Sequence, residues 1–215
     1  MNRFIRVGML FSCLFAFQSL ARAQAVAAQA PPTAAVPTNI HELFVEDQDD
    51  RTGQGVVPKY APDVKSRDAM RRAEASKLLA ASELKTAEDF RDAAFIFQHG
   101  SDPNDYLLAH ILAIEAILKG DVSSKWLAAA TLDRYLQAIG QKQVFGTQYL
   151  SNGYSFLLTH KADPKAMNSP EANRQGWTQE PYDRTLVSDL LRGGFGVPDQ
   201  ATQAARLRQM NAGKQ

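Results

Sequence analysis

Hydrophobic positions fall at helical spacing through the middle of the chain. Met70, Ala73, Lys77-Leu78 and Ala81 recur along a segment that starts near Ser66 or Asp68 and runs through Leu84, which predicts a first helix. Thr86-Ala87-Glu88-Asp89 is an N-terminal capping arrangement for a second, with Phe90, Ala94 and Phe97 on one face and Gly100 as the expected left-handed stop. Ser101 or Asp102 with Pro103 opens a third helix that runs to Lys119 before Gly120. A fourth starts between Asp121 and Ser124 and closes at Gly140. On the third, Leu107, Ile111, Ile114 and Leu118 make one stripe while Ala109, Ala113 and Ala116 lie on or near the other side, so it should be covered on more than one side. Ala128-Ala129-Ala130 gives the fourth a similarly low profile, so the two helices are expected to pack closely at the centre of a small bundle. No second copy recurs at a fixed period, which argues against a solenoid.

The pattern changes after Gly140. Val144-Phe145, Tyr149-Leu150 and Tyr154 to Leu158 are short apolar runs, and Ser151-Asn152-Gly153 between the last two is a hairpin signal. Lys161 to Asp183, rich in Pro, Asn, Asp and Gln, predicts coil; Leu186 to Leu191 predicts a turn or two of helix before Gly193-Gly194. Asp199 to Met210 is helix-compatible but polar, and is expected to fray. On the N-terminal side, Ile40 to Phe44 is apolar, whereas Asp47 to Pro62 holds Asp49-Asp50-Arg51, glycines and prolines and predicts an irregular surface connection. The expected fold class is mainly α: a small bundle of about four core helices with a short β-hairpin or loop after the fourth helix and a coil-rich C-terminal part. Its expected limits are 40–200 for one helical domain and 201–215 for a polar C-terminal tail.

The first 39 residues belong to neither. Arg3 and Arg6 precede an apolar run from Val7 to Phe17 and an Ala21-Arg22-Ala23 step, the pattern of a cleaved secretory signal over 1–23. The run is shorter than the ~20 residues a bilayer requires, so no stable membrane span is expected after cleavage. Residues 24–39 are dominated by Ala, Pro, Gln, Val and Thr, a linker composition that buries too little apolar area to fold. The expected localisation is periplasmic or secreted. Cys13 is the sole cysteine and lies in the leader, so a mature chain has neither disulfides nor thiolate ligands. Without Arg3, Arg6 and Arg22, 21 basic residues face 23 acidic ones and the net charge moves from +1 to −2, with nothing resembling a nucleic-acid footprint.

The candidate chemistry is a set of polar residues in apolar surroundings: Gln98 and His99 at the end of the second helix, Asp133 and Arg134 inside the fourth, and Gln143, Gly146, Thr147 and Gln148 just after it. An acid within an apolar helix needs a partner, and a helix-end histidine is either capped locally or available as an acid-base near neutral pH. Neutral amides orient ligands but make poor nucleophiles. Three readings follow. The residues converge on a polar pocket for a small ligand or peptide segment; or they form an envelope hydrolase with His99 as acid-base, Asp133 orienting it and Arg134 holding an anionic substrate; or they are a structural network, with function in a partner-binding surface. His110, beside Tyr106 and Ile117, reads as a satisfied core histidine. His41, His99, His110 and His160 show no short paired spacing, so no metal signature emerges and no cofactor is expected. Gly193-Gly194-Phe195-Gly196 reads as a helix stop, and no Gly-x-Ser-x-Gly elbow is present.

Gln98-His99, then Asp133-Arg134, then Gly140-Gln141-Lys142-Gln143-Val144-Phe145-Gly146-Thr147-Gln148 resembles the pattern of an uncharacterised family of bacterial proteins, a domain of unknown function. That pattern is a helix ending in Gln-His, an Asp-Arg in a later helix, and Gly-x-Pro-Gln-x-(Tyr/Phe)-Gly-Thr-Gln. The likeness spans roughly Thr86 to Gln148, with a weaker echo at Arg192 and the Gly196-Val197-Pro198 turn, and Lys142 stands where proline is usual. The family carries no established activity, so the resemblance supports the choice of residues and leaves their role open.

Overall fold

The computed structural model describes residues 39–53, 63–153, 155, 165, 169–171 and 175–212. They are mainly helical: α1 (Ile40–Thr52), α2 (Val64–Ala80), α3 (Ala87–Phe97), α4 (Pro103–Leu118), a 3-10 turn at Val122–Ser124, α5 (Lys125–Ala138), α6 (Asp189–Gly194) and α7 (Gln200–Asn211), with a two-stranded sheet of β1 (Leu150–Ser151) and β2 (Trp177–Thr178). The leader, the linker up to residue 38, His160 and most of 156–174 lie outside the described residues. No described helix is long and apolar enough to cross a membrane.

Local sequence sets the helix starts. Thr86 Oγ1 accepts from Asp89 N, and Asp89 returns the bond to Thr86 N at 2.8 Å, the reciprocal capping box that its spacing predicts. Asp102 and Asp105 repeat the device ahead of Pro103. Gly100 is needed for a reason other than the expected left-handed stop. Its φ is not positive, but a Cβ there would stand 2.6 Å from Asp105 Cγ, so the glycine makes room for the capping acid of the next helix.

α4 packs between α3 and α5. Its buried face is Ala109, Leu112, Ala113 and Ala116, while Ile111 and Leu118 are 55% and 76% exposed, so the alanine side faces inward and part of the expected leucine-isoleucine stripe faces out. Ala128, Ala129 and Ala130 on α5 are likewise buried. Small side chains on both helices let the backbones approach, and Ala109, Ala113 and Ala128 share one core cluster with the larger Leu43, Ile96, Phe97 and Leu127. A second apolar cluster, Val144, Phe145, Val187 and Val197 against Ala129 and Phe195, lies on the other side of α5.

Three segments depart from the sequence expectation. Residues 40–52 form a helix, which takes in the first part of the irregular connection expected over Asp47 to Pro62; residues 54–62 lie outside the described residues. Asn39 caps it, Ile40 and Leu43 are buried, and the same stripe continues as buried Asp47, so the inward face turns from apolar to charged halfway along. The partner of Leu150–Ser151 is Trp177–Thr178, antiparallel, with Leu150 opposite Thr178. Asn152 and Gly153, the expected hairpin turn, are helical instead, and Asn152 N donates to Gly176 O at 3.0 Å. Finally, α7 is docked rather than frayed. Gln203 is buried, and Asn211 pairs with both the N–H and the carbonyl of Trp177, at 2.7 and 3.0 Å.

α1 and α2 are joined by charge. Arg67 grips both oxygens of Asp50 at 2.8 Å, and buried Arg71 reaches Asp50 at 2.8 Å and Asp68 at 2.6 Å. Arg51 spans Asp47 at 2.9 Å and Asp68 at 3.0 Å. Bidentate Arg–carboxylate geometry gives such pairs directional character that lysine would not. These Arg67 bonds, joined by Arg71, hold the Asp50 carboxyl below the ordinary aspartate value of 3.8 against the opposing effect of burial. A lowered native pKa stabilises the fold above the unfolded value and is lost as pH falls through the native one. Urea unfolding followed from neutral pH to below the aspartate range should therefore show stability dropping below about pH 4. Asp50→Asn should be weaker at neutral pH and show a shallower acid dependence; an unchanged pH profile would overturn the assignment.

Candidate functional site

The residues singled out by sequence divide into two networks. The first is centred on Asp133, fully buried on α5. Its Oδ1 accepts from Val144 N at 2.8 Å and Phe145 N at 3.0 Å; its Oδ2 accepts from Thr147 N at 2.9 Å and Thr147 Oγ1 at 2.8 Å. One carboxylate therefore clasps the segment that follows α5 through four donors.

Gln143, also fully buried, closes that segment on itself. Its Oε1 accepts from Gln148 N at 3.0 Å and its Nε2 donates to Gln148 O at 3.0 Å and to Gln179 O. Its backbone N–H donates to Pro181 O at 3.0 Å, and its carbonyl accepts from Asp183 N at 2.9 Å, so the segment also bridges to the chain around Tyr182. Gln148 Nε2 donates to Ala130 O at 3.2 Å and Thr147 Oγ1 at 3.0 Å, returning to α5. Gly146 adopts φ +74°, and a Cβ there would stand 2.6 Å from Tyr182 Cζ and Oη. Both the left-handed backbone and the close approach require glycine.

Carbonyls of the segment are served by side chains from the C-terminal part that the sequence pattern did not single out as a site. Fully buried Arg192 donates to Phe145 O, to Val144 O at 3.2 Å and to Val187 O at 3.0 Å. Gln203 Nε2 reaches Phe145 O at 2.8 Å, Gln179 Nε2 reaches Gly146 O at 2.6 Å, and Tyr182 Oη reaches Gln203 Oε1 at 3.1 Å. Burial pushes the Tyr182 phenol above its ordinary value, so it stays a neutral donor. The signal available for these partners was slight: Arg192 figures in the family resemblance, whereas Gln179 and Gln203 each sit among several other polar residues.

The second network holds His99. Its Nδ1 lies 3.1 Å from the Asp47 carboxylate, and its Nε2 accepts from Arg51 Nε at 3.0 Å. Because Arg51 occupies Nε2 as a donor, the ring proton sits on Nδ1 and points to Asp47. The His99 carbonyl accepts from Arg72, which also pairs with Asp105 at 3.3 Å. Asp47 therefore orients His99, and Asp133 does not. Gln98 and Arg134 link the two networks: buried Gln98 offers its carbonyl to Arg134 Nη1 at 2.8 Å, tying the end of α3 to α5. His110, half-buried rather than in the core, bonds to Ala128 O at 2.9 Å.

Comparison of the chain with family models, with curated proteins and with solved structures returned no match.

Truncating Asp133 strands three backbone N–H groups and a hydroxyl in or near the interior. Leaving a buried polar group unsatisfied costs about 1–3 kcal/mol, so Asp133→Ala should lose about 3 kcal/mol or more in denaturant unfolding. Asp133→Asn, which retains one acceptor oxygen, should lose less. Gly146→Ala, with every hydrogen-bonding side chain retained, should still destabilise by about 1–3 kcal/mol through backbone strain and the clash with Tyr182. Equal stability of Gly146→Ala and wild type would contradict the described backbone.

Proposed function

We propose that this is an exported helical interaction module in which the polar motif is an internal lock, so that the protein works through its surface and not through a His99–Asp133 catalytic pair. One observation carries the reading: both carboxylate oxygens of Asp133 and both ring nitrogens of His99 are engaged, in separate networks with separate partners. A general base needs a lone pair facing substrate, and an orienting acid must touch the base it orients. Neither condition is met. The polar-pocket reading loses its principal ligand-facing groups for the same reason, since the amide of Gln143 is spent on Gln148 and Gln179 and that of Gln148 on Ala130 and Thr147.

Export is supported by the basic start, the apolar run from Val7 to Phe17 and the small-residue step ending at Ala23. Likeness to the uncharacterised bacterial family fits within the same proposal: of the residues that carry the pattern, Asp133, Gln143, Gly146, Thr147 and Gln148 secure the segment after α5, Gln98 and Arg134 tie α3 to α5, and His99 joins Asp47 and Arg51.

Two measurements test the two halves. Alkaline phosphatase lacking its own leader, fused after residue 38, should be active in intact cells and lose activity when Arg3 and Arg6 are replaced and the apolar run is interrupted; an inactive fusion would refute export. Purified protein offered ester and peptide substrates should show no turnover that His99→Gln and Asp133→Asn both abolish at conditions where each variant keeps its helical circular dichroism. Turnover of that kind would restore the hydrolase reading.

A further inference from the structure

His41 shows no metal-ligand spacing with any other histidine, yet folding sets it against two acids distant in sequence. It occupies the first turn of α1, and its Nδ1 lies 2.7 Å from Oδ2 of Asp92 on α3. Glu88 stands one turn before Asp92 on the same helix, four residues away, so both carboxylates leave one face of α3. One donor atom from each of His41, Glu88 and Asp92 lies within 4.8 Å of the other two.

We propose that His41, Glu88 and Asp92 form a binding site for a divalent transition-metal ion, with zinc as the fitting first choice. An imidazole with two carboxylates is a nitrogen–oxygen donor set suited to zinc, and a three-residue set leaves a coordination position for water. Arg91 supplies the outer support. Its guanidinium donates to Asp92 Oδ1 at 3.1 and 2.9 Å and to Glu88 Oε1 at 2.8 Å, which fixes both carboxylates and leaves the other oxygen of each for the ion. With the imidazole neutral, two carboxylates against one guanidinium leave a net negative charge of one, which favours a dication. Asp92 is fully buried and so conformationally fixed, whereas the His41 side chain is 56% exposed and gives the ion a path in from solvent. The ion replaces the proton that His41 and Asp92 share and releases it to solvent. Two sides of the site come from different helices, so occupancy would fasten α1 to α3. The site is separate from the Asp133 network and stands or falls independently of the proposed export and interaction role.

Zinc titration of the purified protein by calorimetry tests it, with cobalt absorption as a report on coordination. Wild type should bind one equivalent of zinc at a site whose cobalt form absorbs in the visible, and its thermal midpoint should rise on zinc addition. His41→Gln should abolish the one-equivalent phase, and Glu88→Gln should weaken it at least tenfold. Gln at position 41 keeps a donor for Asp92 and the Glu88 side chain is exposed, so both variants should keep the wild-type helical circular dichroism, which is checked alongside. The proposal is overturned if wild type shows no saturable zinc binding, or if binding with the same stoichiometry and affinity persists in His41→Gln.

Discussion

A stretch of backbone with almost no regular structure lies buried between α5 and the C-terminal elements, and every other feature of this half of the molecule answers to the need to satisfy it. From Gln143 to Phe145 the chain makes only an isolated bridge to Tyr182, yet Gln143, Val144, Phe145 and Gly146 are all buried. Buried peptide groups must be paired, and here side chains take the place of neighbouring strands. Asp133 serves the N–H groups, Arg192, Gln203 and Gln179 serve the carbonyls, and Gln143 serves both at Gln148. The arrangement fixes a buried anion on α5 and a buried cation on α6 with the segment between them. Each bonds the same segment from its own side, so the two helices are held in one relative position through the segment they share.

The other end of the molecule is closed by a different means. α1 contributes little apolar area beyond Ile40, Leu43 and Phe44, and its second half is held by Asp47, Asp50 and Arg51 in a lattice with α2 and His99. Ion pairs of this sort add modestly to stability once desolvation is counted, but they discriminate strongly among packings, because a shift of one turn would leave several charges unpaired. The alanine contact between α4 and α5 needs such guidance, since small residues permit close approach without specifying register as interlocking large side chains do.

Much of the architecture is legible locally. Thr86 and Asp102 announce their helices because capping is written within four residues, and α2 to α5 emerge from periodicity within a few positions of their true limits. What was hidden is what depends on distant partners. α1 escapes an apolar-periodicity reading because its inward stripe becomes charged at Asp47, where Arg51, Arg71, His99 and Gln48 meet that charge. On α4 the alanines pack against α5 as their small size implies, but the exposure of Ile111 and Leu118 in the larger stripe depends on which neighbours are present. Leu150 pairs across a long excursion with Thr178, a choice that the nearby Asn-Gly dipeptide points away from.

The candidate site was legible in its membership and misleading in its grouping. Asp133, Gln143, Thr147 and Gln148 stand out because polar groups amid apolar ones must find partners, and they find one another. His99 stands out for the same reason but belongs to α1 through Asp47 and Arg51. A shared sequence signature therefore joins two networks that meet where the Gln98 carbonyl accepts from Arg134. The distinction matters for how such motifs are interpreted. A specific pattern of Asp, Gln, Gly and Thr is as well explained by the geometry of clasping a buried irregular segment as by chemistry on a substrate: two carboxylate oxygens for four donors, an amide that both gives and accepts, and a glycine where φ is positive and Tyr182 comes close. Each of those demands fixes a residue type as tightly as a reaction would.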